Sequence, residues 1–340
     1  MPPRFPMLLD ATLPPASLRT LPDLARAAEA TGFDALWSTE TQHDPFLPLA
    51  LAAEHTQSIH LGTAIAVAFA RSPAVLAYTA WDLADASHGR FILGLGTQVR
   101  AHIERRFGMP WPDSPAGKLR DMIGALRALW RAWQDGERLN HRGPYHKLTL
   151  MTPFFNPGPI EYPAIPIYIA GVNPALCRLA GEVADGFLAH PYHSADYLRQ
   201  VVRPALDAGA ARAGRDPESI RLSVTALAAT DDAEAEFARS QIAFYASTPT
   251  YRPVMAHHGW GEVADQLREL SRRAAWGEMG ELVSDEMLAT FAVIASEADL
   301  PVALLKRYAG LADRLSLYTP FAPGTRDAFW RRLAADMHAA

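Results

Sequence analysis

Residues 59–67 read Ile59-His60-Leu61-Gly62-Thr63-Ala64-Ile65-Ala66-Val67, a nearly uninterrupted apolar run of the kind that a parallel strand covered on both faces requires. A helical pattern through Pro48 to His55 leads into it. Ser72-Pro73 opens a second helix after it, ending near Gly89, with serine as cap and proline at the first helical position. The same alternation extends in both directions. Upstream, Met7 to Leu13 reads as a strand. Thr20 then caps a helix that has Pro22 and Asp23 in its first turn and Gly32 as terminator, and Phe33 to Ser38 is the next strand. Downstream, Arg90 to Gly96 is a fourth strand. Leu119, Met122, Leu126, Leu129 and Trp133 mark one face of a long helix ended by Gly136. Ile165 to Ala170, Gly186 to His190, Ile220 to Leu227 and Arg314 to Thr319 supply four more strands. Eight alternating units predict an α/β fold, a (β/α)8 TIM barrel with insertions, as one domain over residues 1–340. Two stretches break the rhythm, near 139–162 and 245–300, and both are expected to follow strands, where barrels place substrate loops.

The composition narrows the function classes. Of the 340 residues, 49% are hydrophobic and 20% charged, which excludes a largely disordered chain. Net charge is −5, from 32 Lys+Arg against 37 Asp+Glu, and no stretch concentrates basic residues with aromatics, so no nucleic-acid partner is expected. The single cysteine, Cys177, reads as a small buried apolar residue and excludes an intrachain disulfide framework. The apolar run Phe5 to Leu9 is too short for a signal peptide, and no segment approaches the roughly 18 uncharged apolar residues of a membrane span. A cytoplasmic protein without membrane partners is the expectation.

Several strand ends carry chemistry. Gly94-Leu95-Gly96-Thr97-Gln98-Val99 begins like a dinucleotide fingerprint but has Val99 in place of the third glycine, which disfavours a Rossmann site. The two glycines either admit a flat ligand to the backbone or simply end a strand tightly. Ala170-Gly171-Val172-Asn173-Pro174 runs from a strand into a capped helix, and is either an anion site or an ordinary turn. No metal is expected. The first strand ends without histidine, and neither His190 with His193 nor His257 with His258 has a carboxylate at metal spacing. Glu40-Thr41-Gln42-His43-Asp44 directly follows the second strand and places two acids and an imidazole at the barrel mouth, which suits proton transfer. Nucleophile-elbow and Walker signatures are absent from the sequence.

Taken together, these stretches resemble the bacterial luciferase-like monooxygenase superfamily, in particular its F420-dependent oxidoreductase branch. The carriers are residues 28–34, Glu40 with His43-Asp44-Pro45-Phe46, residues 61–73, residues 89–98 and residues 180–186, with 243–251 similar to the same branch. The resemblance implies a luciferase-like TIM barrel with coenzyme F420, or alternatively FMN, at its C-terminal mouth and hydride transfer to or from a small organic substrate. It places the ring on a bulge at Thr63, Ala64 and Ile65, with a cis peptide between Ala64 and Ile65. It places the phosphate-bearing tail near Thr97, Gln98, Gly171, Val172 and Asn173. Related dehydrogenases carry an Asp-His pair after strand two, whereas this chain has Glu40-Thr41 there. His43 is therefore the expected proton-transfer group, with Glu40 as its partner or alternate and His190 as the next candidate. Asp44, Arg71 and His102 are expected to hold His43 or to recognise substrate. The resemblance also implies a homodimer or higher homo-oligomer. An FMN-dependent monooxygenase would need a flavin reductase as partner, and a non-catalytic flavin carrier on the same barrel is the third reading.

Overall fold

The computed structural model describes residues 7–339; the start of the Phe5 to Leu9 run lies outside them. The barrel strands are β1 Leu8–Thr12, β2 Ala35–Ser38, β3 His60–Thr63, β4 Phe91–Gly96, β5 Ile167–Gly171, β6 Gly186–Ala189, β7 Arg221–Ala229 and β8 Arg314–Leu317. Each pairs in parallel with the next, and β8 pairs with β1, so the sheet closes into an eight-stranded barrel. The surrounding helices are α1 Leu21–Thr31, α2 Leu47–His55, α3 Pro73–Ala86, α4 Pro115–Gln134, α5 Pro174–Val183, α6 Arg203–Arg212, α7 Leu300–Tyr308 and α8 Asp327–His338. Among the described residues no helix is long and apolar enough to cross a membrane.

Local sequence explains most helix ends. Ser72 accepts from the Val75 N–H at the start of α3, and Gly32 closes α1 at a left-handed φ of 96°. Thr20 does not cap α1. Its hydroxyl donates to the Ser17 carbonyl instead, so the first turn relies on Pro22 and Asp23. At the barrel's N-terminal end, Arg90 is buried. Its guanidinium donates to carbonyls of Ala53, Thr56, Ile59 and Ser87 and to the Thr56 hydroxyl, tying α2, β3 and β4 together.

Of three stretches that the sequence reading singled out, two lie as expected and one, 139–162, departs from it. The run 59–67 is one strand interrupted at a cis Ala64–Ile65 peptide, after which Ala66–Val67 pairs with β4 again. Residues 139–162 follow α4, not a strand. They form a strap carrying a small hairpin, His141–Arg142 against Lys147–Leu148, and pack on the outer helices: Tyr78 Oη donates to the Phe155 carbonyl and Trp81 Nε1 to the Gly158 carbonyl. The stretch 245–300 does lie after β7, at the mouth. It contains helices Arg252–His257, Gly261–Arg272 and Asp285–Phe291 and an extra strand, Ala292–Ile294, which pairs with the projecting end of β7.

Candidate active site

The floor of the mouth is apolar. Ala64, Ile65 and Ala170 pack over a plug of Trp37, Ile92, Tyr168 and Leu188 inside the barrel. Beneath them Asp10 of β1 and Arg314 of β8 form a buried bidentate pair at 2.7 and 2.8 Å, and Asp10 also accepts from Trp37 Nε1. Burial raises the Asp10 carboxyl against the pull of the Arg314 guanidinium. The bulge in β3 explains both glycines of β4. A Cβ on Gly94 would lie 1.8 Å from the Thr63 carbonyl oxygen, and one on Gly96 would lie 2.8 Å from the Ile65 side chain. Their first duty is thus to admit the neighbouring strand. Thr63 is wholly buried and its hydroxyl donates to the Gly94 carbonyl, so it supports the floor from below, while Ala64 and Ile65 reach the surface.

The β2–β3 side gathers Glu40, Asp44 and Arg71 as expected, but in building roles. Glu40 is 7% exposed and accepts from the Val67 N–H and from Arg71, both at 2.6 Å. Arg71 reaches on to Asp44 at 3.3 Å, and Asp44 accepts from the N–H groups of Phe46 and Leu47 at the start of α2. His43 stands exposed on the same loop with no hydrogen-bond partner among the described residues. His102 is exposed on the short helix Arg100–Arg105, which is tied to this side by a bond from Arg106 to the Thr41 carbonyl.

The β4 and β5 ends form a second cluster. Gln98 has a left-handed φ of 58°, and its side chain accepts from the Val99 N–H. Asn173 caps α5, accepting from the Leu176 N–H through its side chain and from Cys177 N–H through its carbonyl. Pro174 has no N–H, so only Ala175 among the first helical donors remains for an anion. Gly171 packs against Leu176, where a Cβ would come within 2.8 Å, and the Val172 carbonyl accepts from Tyr197 Oη.

The β6–β8 side holds His190, which the sequence reading named, together with tyrosines that it missed. His190 sits at the end of β6, between the rings of Tyr245 and Tyr251 at 4.6 Å each. Burial, then the neighbouring His193, pushes its pKa down to about 3, which holds the ring neutral across the physiological range. Tyr245 and Tyr251 come from the insertion and Tyr318 directly follows β8. Strand-end position alone could have flagged Tyr318; the other two needed the insertion's path. Among the described residues no cluster of His, Cys, Asp or Glu could hold a metal ion. A groove of about 560 Å³ lined by Arg127, Trp130, Pro163 and Asp185 opens at the opposite, N-terminal end of the barrel, away from this chemistry.

The luciferase-like monooxygenase family profile matches residues 3–314. The chain belongs to that family. An uncharacterized Mycobacterium tuberculosis protein is 49% identical to this luciferase-like chain over 313 residues, covering 90% of it and 92% of the relative. A putative coenzyme F420-dependent oxidoreductase of the same organism is 31% identical, covering 82% and 84% of the two chains. The solved F420-dependent tetrahydromethanopterin reductase of Methanopyrus kandleri superposes with a TM-score of 0.78 at 21% identity over 98% of both chains, which establishes the shared barrel.

Proposed function

We propose that this chain is an F420-dependent oxidoreductase that moves a hydride between the cofactor and a small organic substrate. The observation that carries the reading is the F420-dependent description of a relative alignable over four-fifths of both chains. The floor fits a flat ring, since Ala64, Ile65 and Ala170 offer an apolar platform with no polar group to leave unpaired. When bound, F420 supplies a two-electron hydride carrier whose carbon in place of N5 keeps it from activating O₂. The backbone around Thr97 and Gln98 and the Gly171 to Asn173 turn, with the Ala175 N–H, would hold its tail.

The chain's own chemical contribution is the proton. For an alcohol substrate, the carbon gives up a hydride while its oxygen gives up a proton; His43, unencumbered at the mouth, takes that proton, and in the reverse direction it returns it. Glu40 is committed to Val67 and Arg71 and does not orient His43. Titrating the protein with oxidised F420 and, separately, with FMN by visible absorption tests the reading. Saturable F420 binding with little response to FMN is expected. Tight FMN binding without F420 binding overturns it in favour of a flavin monooxygenase.

A further inference from the structure

The wall formed by β6, β7 and β8 is made of rings that carry no charge at neutral pH. His190 Nδ1 accepts from the Tyr192 N–H at 3.1 Å, which leaves the proton of the neutral imidazole on Nε2. That Nε2–H has no partner among the described residues, and neither has the Tyr251 hydroxyl. Tyr318 Oη donates to Gln241 Oε1 at 2.9 Å, so Tyr245 donates to Tyr318 at 2.7 Å, and both protons are used within the wall. Behind these, Tyr192 stacks on Phe291 at 5.0 Å, with its hydroxyl buried and unpaired among the described residues. Nearby cations are already engaged. Arg239, Arg252 and Arg326 pair with carboxylates, and Arg307 donates to the Ala289 and Thr290 carbonyls.

In an eight-stranded ring β6 lies three strands from β3, almost across the mouth from the bulge. A substrate between the two meets an apolar floor on one side and free neutral donors on the other. We propose that His190 Nε2–H and the Tyr251 hydroxyl are specificity-determining donors that recognise an uncharged carbonyl or hydroxyl oxygen on a planar apolar substrate, and that this wall rejects carboxylate- and phosphate-bearing compounds. The inference rests on the hydride-transfer reading above and names the substrate class for it. A neutral N–H pairs well with a carbonyl oxygen, whereas an anion loses its hydration at this wall without gaining a counter-charge. Sites built to hydrogen-bond a polar group discriminate strongly, because a wrong ligand leaves buried donors unpaired.

The test uses the full-length protein and two probes with the same ring, acetophenone and benzoate. Nitrogen-15 NMR of the histidines is expected to find His190 as the Nε2–H tautomer from about pH 8 to about pH 5, and its signals are expected to move on adding acetophenone. Acetophenone should bind at least about 10-fold more tightly than benzoate, and His190→Phe should remove that preference. His190→Gln keeps an N–H donor and should retain most of it, and Tyr251→Phe should weaken acetophenone by a smaller factor. F420 affinity should stay within about 2-fold in all three variants. Equal binding of the two probes, no binding of acetophenone, or binding indifferent to His190→Phe and Tyr251→Phe each overturns the proposal. Acetophenone binding at His190 in a protein that ignores F420 leaves the wall in place and refutes the cofactor reading instead.

Discussion

The two sides of the barrel mouth solve opposite problems. On the β2–β3 side, charged groups are spent on one another and on backbone N–H groups: Glu40, Arg71 and Asp44 form a chain that fixes the loop after β2, the resumption of β3 and the start of α2. On the β6–β8 side the groups are neutral, and two of them, His190 Nε2 and the Tyr251 hydroxyl, have no partner among the described residues. Charge at an active-site mouth therefore does not by itself mark chemistry. In this barrel the ionised residues build the platform, and the groups without a partner among the described residues on the opposite side are uncharged.

The largest expected effect falls on the platform. Gly94→Ala would drive a Cβ to 1.8 Å from the Thr63 carbonyl oxygen, a backbone atom that cannot step aside without unpairing β3 from β4. We expect a loss of more than about 4 kcal/mol or failure to fold, measured by urea unfolding against the parent protein. A normally stable Gly94→Ala protein would show that the bulge is pliable and that the two sides differ less than described.

The next effect sharpens the neutral side. His190 and His193 have folded pKa values of about 3 and about 4, below the value near 6.5 of an unfolded histidine. Above that unfolded value neither state binds the proton, and the burial costs nothing. As pH falls through it, the unfolded chain takes up protons that the folded chain refuses, so stability drops until the folded values are reached. Between about pH 7 and pH 5 this amounts to about 2 kcal/mol for each histidine. His193 Nδ1 donates to the His190 carbonyl and its Nε2 accepts from Tyr308, so His193→Gln should remove roughly half of the slope. A stability curve flat over this interval would mean that the wall is hydrated and its histidines titrate normally.

Glu40→Ala ranks third. It leaves the Val67 N–H unpaired and removes the shorter of the two carboxylate contacts of Arg71, at an expected cost of about 3 kcal/mol together with weaker F420 binding. Glu40→Gln preserves an acceptor for Val67 and should cost about 1 kcal/mol. If Glu40 were instead a proton-transfer group, Glu40→Gln would abolish turnover at nearly unchanged stability, and the split between building charge and recognising neutrality would fail.

How much of this was legible in the sequence depends on range. The eight strands follow from apolar runs and their punctuation, which are local. Ser72 and Asn173 were readable as caps because a cap is satisfied within three residues. Thr20 had the same local signature, but its hydroxyl found the Ser17 carbonyl first. The strap at 139–162 was misplaced because its composition resembles that of a substrate loop, whereas its packing on α3 is set by contacts 77 residues apart. Glu40 and His43 look equally able to move protons as letters. Only the fold shows that Arg71, 31 residues on, claims one and leaves the other free.

The smallest expected effect on stability is at His43, and for that reason it is the cleanest test of function. The side chain is exposed and makes no hydrogen bond to the described residues, so His43→Ala should alter unfolding free energy by less than about 0.5 kcal/mol. Its position one residue before Asp44 holds it beside the Glu40–Arg71 platform without drawing it into the platform's bonds. Loss of a general acid or base there should lower kcat by about 10²-fold while F420 affinity stays unchanged, once a substrate from the uncharged carbonyl or hydroxyl class is in hand. Unchanged kcat in His43→Ala would remove proton transfer from His43. The search for the group would then move to Glu40 and His190.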